Sequence, residues 1–228
     1  AFGIVPENIF GFWDWVGGRF SVWSAIGLPA LLAIGPQRFQ AFLQGAHAMD
    51  QHFLTAPWAD NIPVLLACLA VWYRSFCHLP SLAVLPYDHS LEQLPRYLQQ
   101  LDMESLGKRV DREGRSVDYE TGAIVFGECG TNGQHAFYQL LHQGTTVVPC
   151  EFIVTHTPQH KQGEHHRILV ANALAQPDAL WMGRDHADPY RVFPGRRPST
   201  LIHMPLLDPF HLGLLLAMYE HKVFVQSV

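Results

Sequence analysis

Charged side chains are scarce in this chain: Asp, Glu, Lys and Arg make up 15% of its 228 residues, against roughly 25% in an ordinary soluble protein. A surface so poor in charge implies faces covered by another domain or subunit. Basic clusters are missing as well. A net charge of -5 and a pI near 6.3 leave no electrostatic footprint for a nucleic-acid partner. The four cysteines, Cys68, Cys77, Cys129 and Cys150, form no CxxC pair and no metal-finger spacing. A chain long enough to bury a core does not need disulfides, so reduced thiols in a cytoplasmic setting are expected.

Long hydrophobic runs are also lacking. The longest, residues 62–72, is too short to span a bilayer and ends in Tyr73 and Arg74. It reads as a buried helix, and no membrane partner is expected. The first residues lack the basic start and cleavage site of a signal peptide. The absent initiator Met and the stop on Phe224-Val225-Gln226-Ser227-Val228 point to a piece of a longer chain. There is no internal repeat, no low-complexity stretch, no G-x-S-x-G elbow and no zinc-deaminase signature.

What is present alternates between strand-like and helix-like segments, which predicts a parallel α/β sheet with helices on both faces. Helices are expected over 36–53, over 60–76 with Asp60 as N-cap, and over 90–100 behind a Ser90-x-x-Gln93 capping box, its start delayed or bent by Pro95. Further helices are expected over about 134–141, over 167–180, and from Asp208-Pro209 through Tyr219. Strands are expected over 82–85, 123–126, 145–155 and 199–204, with the polar stretch 111–121 as a loop or short hairpin. The loop Gly127-x-x-Gly130-x-x-Gly133 then falls at a strand-to-helix turn, where open α/β sheets bind ligands.

Three polar segments carry the candidate chemistry. Gly17-Gly18-Arg19 places a guanidinium among Trp13, Trp15, Phe20 and Trp23, either stacked structurally or aimed into a pocket as a fixed charge. Gln100 and Glu104 stand four apart and share a helix face, making Glu104 a candidate general base. On spacing alone, a solvated helix-end carboxylate is the simpler explanation. The Gly127 to Gly133 loop reads as a tight turn on spacing alone, but it delivers His135 to the start of a helix. A base, a fixed cation and a proton shuttle are the parts needed to move a proton beside a carbonyl. His156, His160, His165 and His166 invite a zinc reading, yet their H-x3-H and H-H spacings carry neither a Glu base nor cysteines, and a polar surface loop is the simpler account.

The runs Phe12-Trp13-Asp14-Trp15-Val16-Gly17-Gly18-Arg19-Phe20-Ser21, Gly45-Ala46-His47, Leu85-Pro86-Tyr87-Asp88, Asp102-Met103-Glu104-Ser105, 130–143 and Met218-Tyr219-Glu220-His221-Lys222 resemble the glucose-6-phosphate isomerase (phosphoglucose isomerase) family, in order and over almost the whole chain. The resemblance implies a cytoplasmic aldose–ketose isomerase of glycolysis and gluconeogenesis, interconverting glucose 6-phosphate and fructose 6-phosphate without metal or redox cofactor. Glu104 would shuttle the proton through a cis-enediol(ate), and Arg19 would stabilise its charge. Gln100 would bind the substrate, and His135 would assist ring opening from the neighbouring subunit of a homodimer. The fold implied is a three-layer SIS-like, flavodoxin-like domain over 61–228, truncated at its C-terminus, with 1–60 linking to an upstream SIS domain. Leu101 stands where the family usually has glycine, and Cys129 where it usually has proline. The family's phosphate-gripping loop and late lysine lie outside these residues. A sugar-phosphate-binding module without turnover is therefore the alternative.

Overall fold

The computed structural model describes residues 3–228. A 3-10 helix at Gly18–Trp23 leads into helices α1 (Leu28–Ile34), α2 (Pro36–Thr55) and α3 (Ile62–Val71). Strand β1 (Ser81–Pro86), α4 (Leu94–Leu98), a π-helical turn (Gln99–Met103) and α5 (Glu104–Leu106) follow. Strand β2 (Ile124–Gly127), α6 (Gly130–Ala136), α7 (Tyr138–Gln143), β3 (Cys150–Thr155), α8 (Gly163–Met182), β4 (Ser199–Met204) and α9 (Pro209–Ser227) complete the chain.

The four strands form one parallel sheet in the order β2-β1-β3-β4. Alternation along the central strands divides the core. Val84 and Ile153 face a cluster with Met49, Leu66, Leu98, Leu101 and Leu215. Ala83, Leu85, Phe152 and Val154 face a second cluster with Tyr138, Leu141, Ala173 and Leu180. Side chains two apart share a sheet face, so α2, α3, α4 and α9 cover one side and α7 and α8 the other. This is the expected three-layer, SIS-like α/β architecture.

Several local expectations are corrected. Asn61, not Asp60, caps α3: its side chain accepts from the Val64 N–H and donates to the Phe53 carbonyl. Helix α3 is buried on one face only, since Val64, Leu66 and Ala67 are buried while Leu65, Leu69 and Val71 are exposed. The capping box at Ser90 does not form. Asp88 instead accepts from the Ser90 N–H and from the Thr155 hydroxyl, and Pro95 marks the true helix start at Leu94. The strand drawn over 145–155 is only Cys150–Thr155, and α8 and α9 each extend beyond their expected ends.

Helices α2 and α9 pack closely, and glycine permits it. A Cβ on Gly45 would sit 1.8 Å from the Phe210 carbonyl oxygen, and one on Gly213 would sit 2.0 Å from that of Phe42. By propensity alone, Gly→Ala within a helix gains about 1 kcal/mol. Here the obstacle is backbone, so overpacking of about 1–3 kcal/mol opposes that gain. Gly45→Ala is expected to lower the midpoint of denaturant unfolding, and an unchanged or raised midpoint would show that the two helices separate freely.

Candidate functional site

Glu104 owes its position to the turn before it. Helix α4 widens into the π-helical Gln99–Met103 turn, a feature that recurs at functional sites. That turn sends Leu101 and Asp102 inward and leaves Gln100 and Glu104 outside. Gln99 Nε2 ties the turn to the Val125 carbonyl of β2. Leu101, fully buried in the core, spends its extra bulk there rather than against the carboxylate.

Arg19 arrives from the Gly18–Trp23 3-10 helix. Its Nη1 lies 3.2 Å from Glu104 Oε1, its Nε donates to Ser105 Oγ at 2.8 Å, and Gln100 Nε2 donates to Glu104 Oε2 at 3.1 Å. Lys108 Nζ donates to the Glu104 carbonyl. Between the two readings left open for Arg19, the guanidinium is aimed at the carboxylate, with the Phe20 ring 5.6 Å away. The structure therefore joins Arg19, Gln100 and Glu104, separated by up to 85 positions.

His135 is elsewhere. The glycine loop is itself helical from Gly130, so His135 falls in the last turn of α6, exposed, rather than at a helix start. Among the described residues it makes no hydrogen bond or ion pair with Arg19, Gln100 or Glu104. The glycines answer to packing: a Cβ on Gly127 would meet the Val84 carbonyl at 1.9 Å, and one on Gly130 the Tyr87 ring at 2.1 Å. Cys129, beside them, has its thiol pushed up to about 11 by burial, which keeps it protonated at neutral pH.

Behind the site lies a network that sequence reasoning missed. Glu220 on α9 accepts from Trp23 Nε1 at 3.0 and 2.8 Å and from the Tyr97 hydroxyl at 3.0 Å. That hydroxyl also reaches the Arg19 carbonyl at 3.2 Å. Burial raises the Glu220 carboxyl to about 7, against the pull of the Trp23 and Tyr97 donors and with a further push from Asp50. On the same helix, Lys222 is buried, 3.1 Å from Glu151 Oε1, and the Tyr219 hydroxyl donates to Glu151 Oε2 at 2.9 Å.

A cavity of about 870 Å³ opens between the amino ends of the strands and the segment after Glu104. Asp102, Ser105, Lys108, Glu151 and Lys222 line it, whereas Arg19, Gln100 and Glu104 do not. The histidines over 156–166 do not converge. His156 Nε2 pairs with His203 Nδ1 at 3.0 Å, His166 Nε2 donates to the His156 carbonyl, and His160 Nδ1 accepts from the Gln162 N–H. Among the described residues no three metal-donor side chains come together, and no helix is long and apolar enough to cross a membrane.

A family model described as phosphoglucose isomerase matches residues 1–228. The glucose-6-phosphate isomerase of Chlorobium luteolum is 54% identical over 246 residues, covering all of this chain and 45% of the relative. That of Xanthobacter autotrophicus is 55% identical over 249 residues, again covering 45% of the relative. The crystal structure of a glucose-6-phosphate isomerase from Chlamydia trachomatis superposes with a TM-score of 0.90 at 43% identity, over 95% of this chain and 43% of that one. The chain thus spans about half the length of the relatives it matches.

Proposed function

Since the chain belongs to the phosphoglucose isomerase family, we propose that it carries the proton-transfer half of an aldose–ketose isomerase acting on glucose 6-phosphate and fructose 6-phosphate. The observation that carries this reading is the Arg19 guanidinium 3.2 Å from the Glu104 carboxylate, with Gln100 on the second oxygen. In the proposed reaction Glu104 removes hydrogen from C2 of the open-chain aldose. The released electron pair forms the C1–C2 double bond, and the C1 carbonyl oxygen becomes an enediolate oxygen. Arg19 is the fixed cation for that charge, in place before it develops. The O2 hydroxyl proton then passes to the O1 oxyanion, and the C2 carbonyl forms as the C1–C2 electron pair takes the proton held by the Glu104 carboxyl onto C1. Gln100 binds a substrate oxygen. His135, exposed and outside this cluster, is assigned to ring opening in the site of a second copy of the chain, within a cytoplasmic homodimer of the kind glycolysis and gluconeogenesis use. Residues 61–228 are assigned to the second SIS-like domain and residues 1–60 to its link with an upstream one.

The test is deuterium exchange at C2 of the substrate, measured on the full protein as its gene encodes it. Solvent deuterium entering C2 during interconversion supports proton transfer by this site. Tight sugar-phosphate binding without exchange overturns the isomerase reading and leaves a binding module.

A further inference from the structure

Glu220 lies at the junction of the two segments that build the proton-transfer site, and that junction is unusual for a carboxylate. Among the described residues no Lys, Arg or His lies within ion-pair distance of it. Its hydrogen bonds come instead from an indole and a phenol. Trp23 is four residues after Arg19 in the same 3-10 helix, and its ring is stacked on Phe42 of α2 at 4.6 Å. Tyr97 sits on α4, which runs directly into Gln100 and Glu104. Its hydroxyl spans Glu220 Oε1 and the Arg19 carbonyl. The carboxylate therefore holds the arginine segment and the glutamate segment against α9 at once.

We propose that Glu220 is a positioning residue, clamping Trp23 and Tyr97 so that the Arg19 guanidinium stays over Glu104. The proposal rests on the isomerase reading for its catalytic consequence, though not for the clamp itself.

The clamp depends on where one proton sits. Tyr97 has a single hydroxyl hydrogen and two acceptors, Glu220 Oε1 and the Arg19 carbonyl. When Glu220 is ionised, it draws that hydrogen. When Glu220 is protonated on Oε1, it donates to the Tyr97 oxygen, and the Tyr97 hydrogen turns to the Arg19 carbonyl. The other charges nearby are engaged elsewhere. Asp50 of α2, which disfavours ionisation of Glu220, is itself paired with His221 at 2.7 Å, Lys222 is turned to Glu151, and the Arg19 guanidinium faces Glu104. Because burial lifts Glu220 to about 7, the exchange of partners falls near neutral pH.

The experiment reads the Arg19 Nε–H directly by NMR in the full protein, its signal assigned by its loss in Arg19→Lys. In the wild type the signal is expected to shift with a midpoint near pH 7. Glu220→Gln is expected to abolish that titration, and Tyr97→Phe, which removes only a hydroxyl, to do the same without threatening the fold. Kinetically, Glu220→Gln should lower kcat by about 10²-fold, as a displaced catalytic group does, with KM little changed. In an Arg19→Ala background it should have almost no further effect. A purely structural role predicts losses that multiply. An Arg19 signal unmoved by both variants, or multiplying losses, overturns the clamp. Failure of the wild type to exchange C2 hydrogen overturns the isomerase reading instead, and the NMR titration still decides the clamp.

Discussion

Replacing Glu104 by glutamine is expected to cut C2 hydrogen exchange by about 10²–10⁴-fold, the usual contribution of a positioned acid–base group, while the protein stays folded. The two effects separate because of where the carboxylate sits. Glu104 is 54% exposed and its ion pair with Arg19 is part-solvated, so losing the pair costs at most about 1 kcal/mol. Glutamine keeps the length of the side chain and one oxygen for Arg19 or Gln100, but it cannot take a proton from carbon. Binding should therefore survive while turnover does not, which appears as a fall in kcat with little change in KM. Deuterium uptake measured beside a thermal melt checks both halves. Exchange that persists in a folded Glu104→Gln protein would move the base to another residue, and the assignment of this cluster would go with it.

The same cluster shows which parts of a site a sequence reveals. Gln100 and Glu104 were legible because four residues make one helix turn, and that periodicity survived even though the backbone there is π-helical rather than α-helical. The Asp208-Pro209 start of α9 was legible for a similar reason, since an N-cap followed by proline is a local signal and Asp208 does accept from the His211 N–H. Other features depend on partners far along the chain. Trp23 and Glu220 are 197 positions apart, and Tyr97 and Glu220 are 123 apart; nothing in the spacing of either pair says they meet. The glycine loop misled in a different way. Gly130 and Gly133 are poor helix formers, so the helix was expected to begin after them. The Tyr87 ring occupies the space where a Gly130 Cβ would stand, and tertiary packing overrides the intrinsic preference. Asp60 lost the α3 cap to Asn61, whose amide carries both an acceptor for Val64 and a donor for Phe53. A carboxylate can serve only the first of those.

Lys222→Met is expected to destabilise the fold by about 3–5 kcal/mol, the cost of leaving a buried charge without its partner. Lys222 is 1% exposed and Glu151 5%, so hydration offsets little of the loss when the ammonium goes. Glu151 keeps a single donor, the Tyr219 hydroxyl. Removing both charges should cost less than Lys222→Met alone, because no carboxylate is then left buried at position 151 without its cation, and only the Tyr219 hydroxyl loses an acceptor. Denaturant unfolding of Lys222→Met and of the double variant Lys222→Met, Glu151→Leu checks this, and equal losses in the two would show that the pair contributes nothing as a pair. Asp102 supplies a second signature. Burial raises its carboxyl, Lys222 holds it down and Glu151 pushes it up. A carboxyl raised in the folded state binds its proton more tightly there than in the unfolded chain. Its contribution is present in acid and is lost as pH rises through the folded value. Lys222→Met removes the one influence that lowers it. The deficit of the variant against wild type should therefore be smallest in acid and grow toward neutral pH, as the unfolded chain gives up the Asp102 proton that the folded variant, with no cation beside it, still holds.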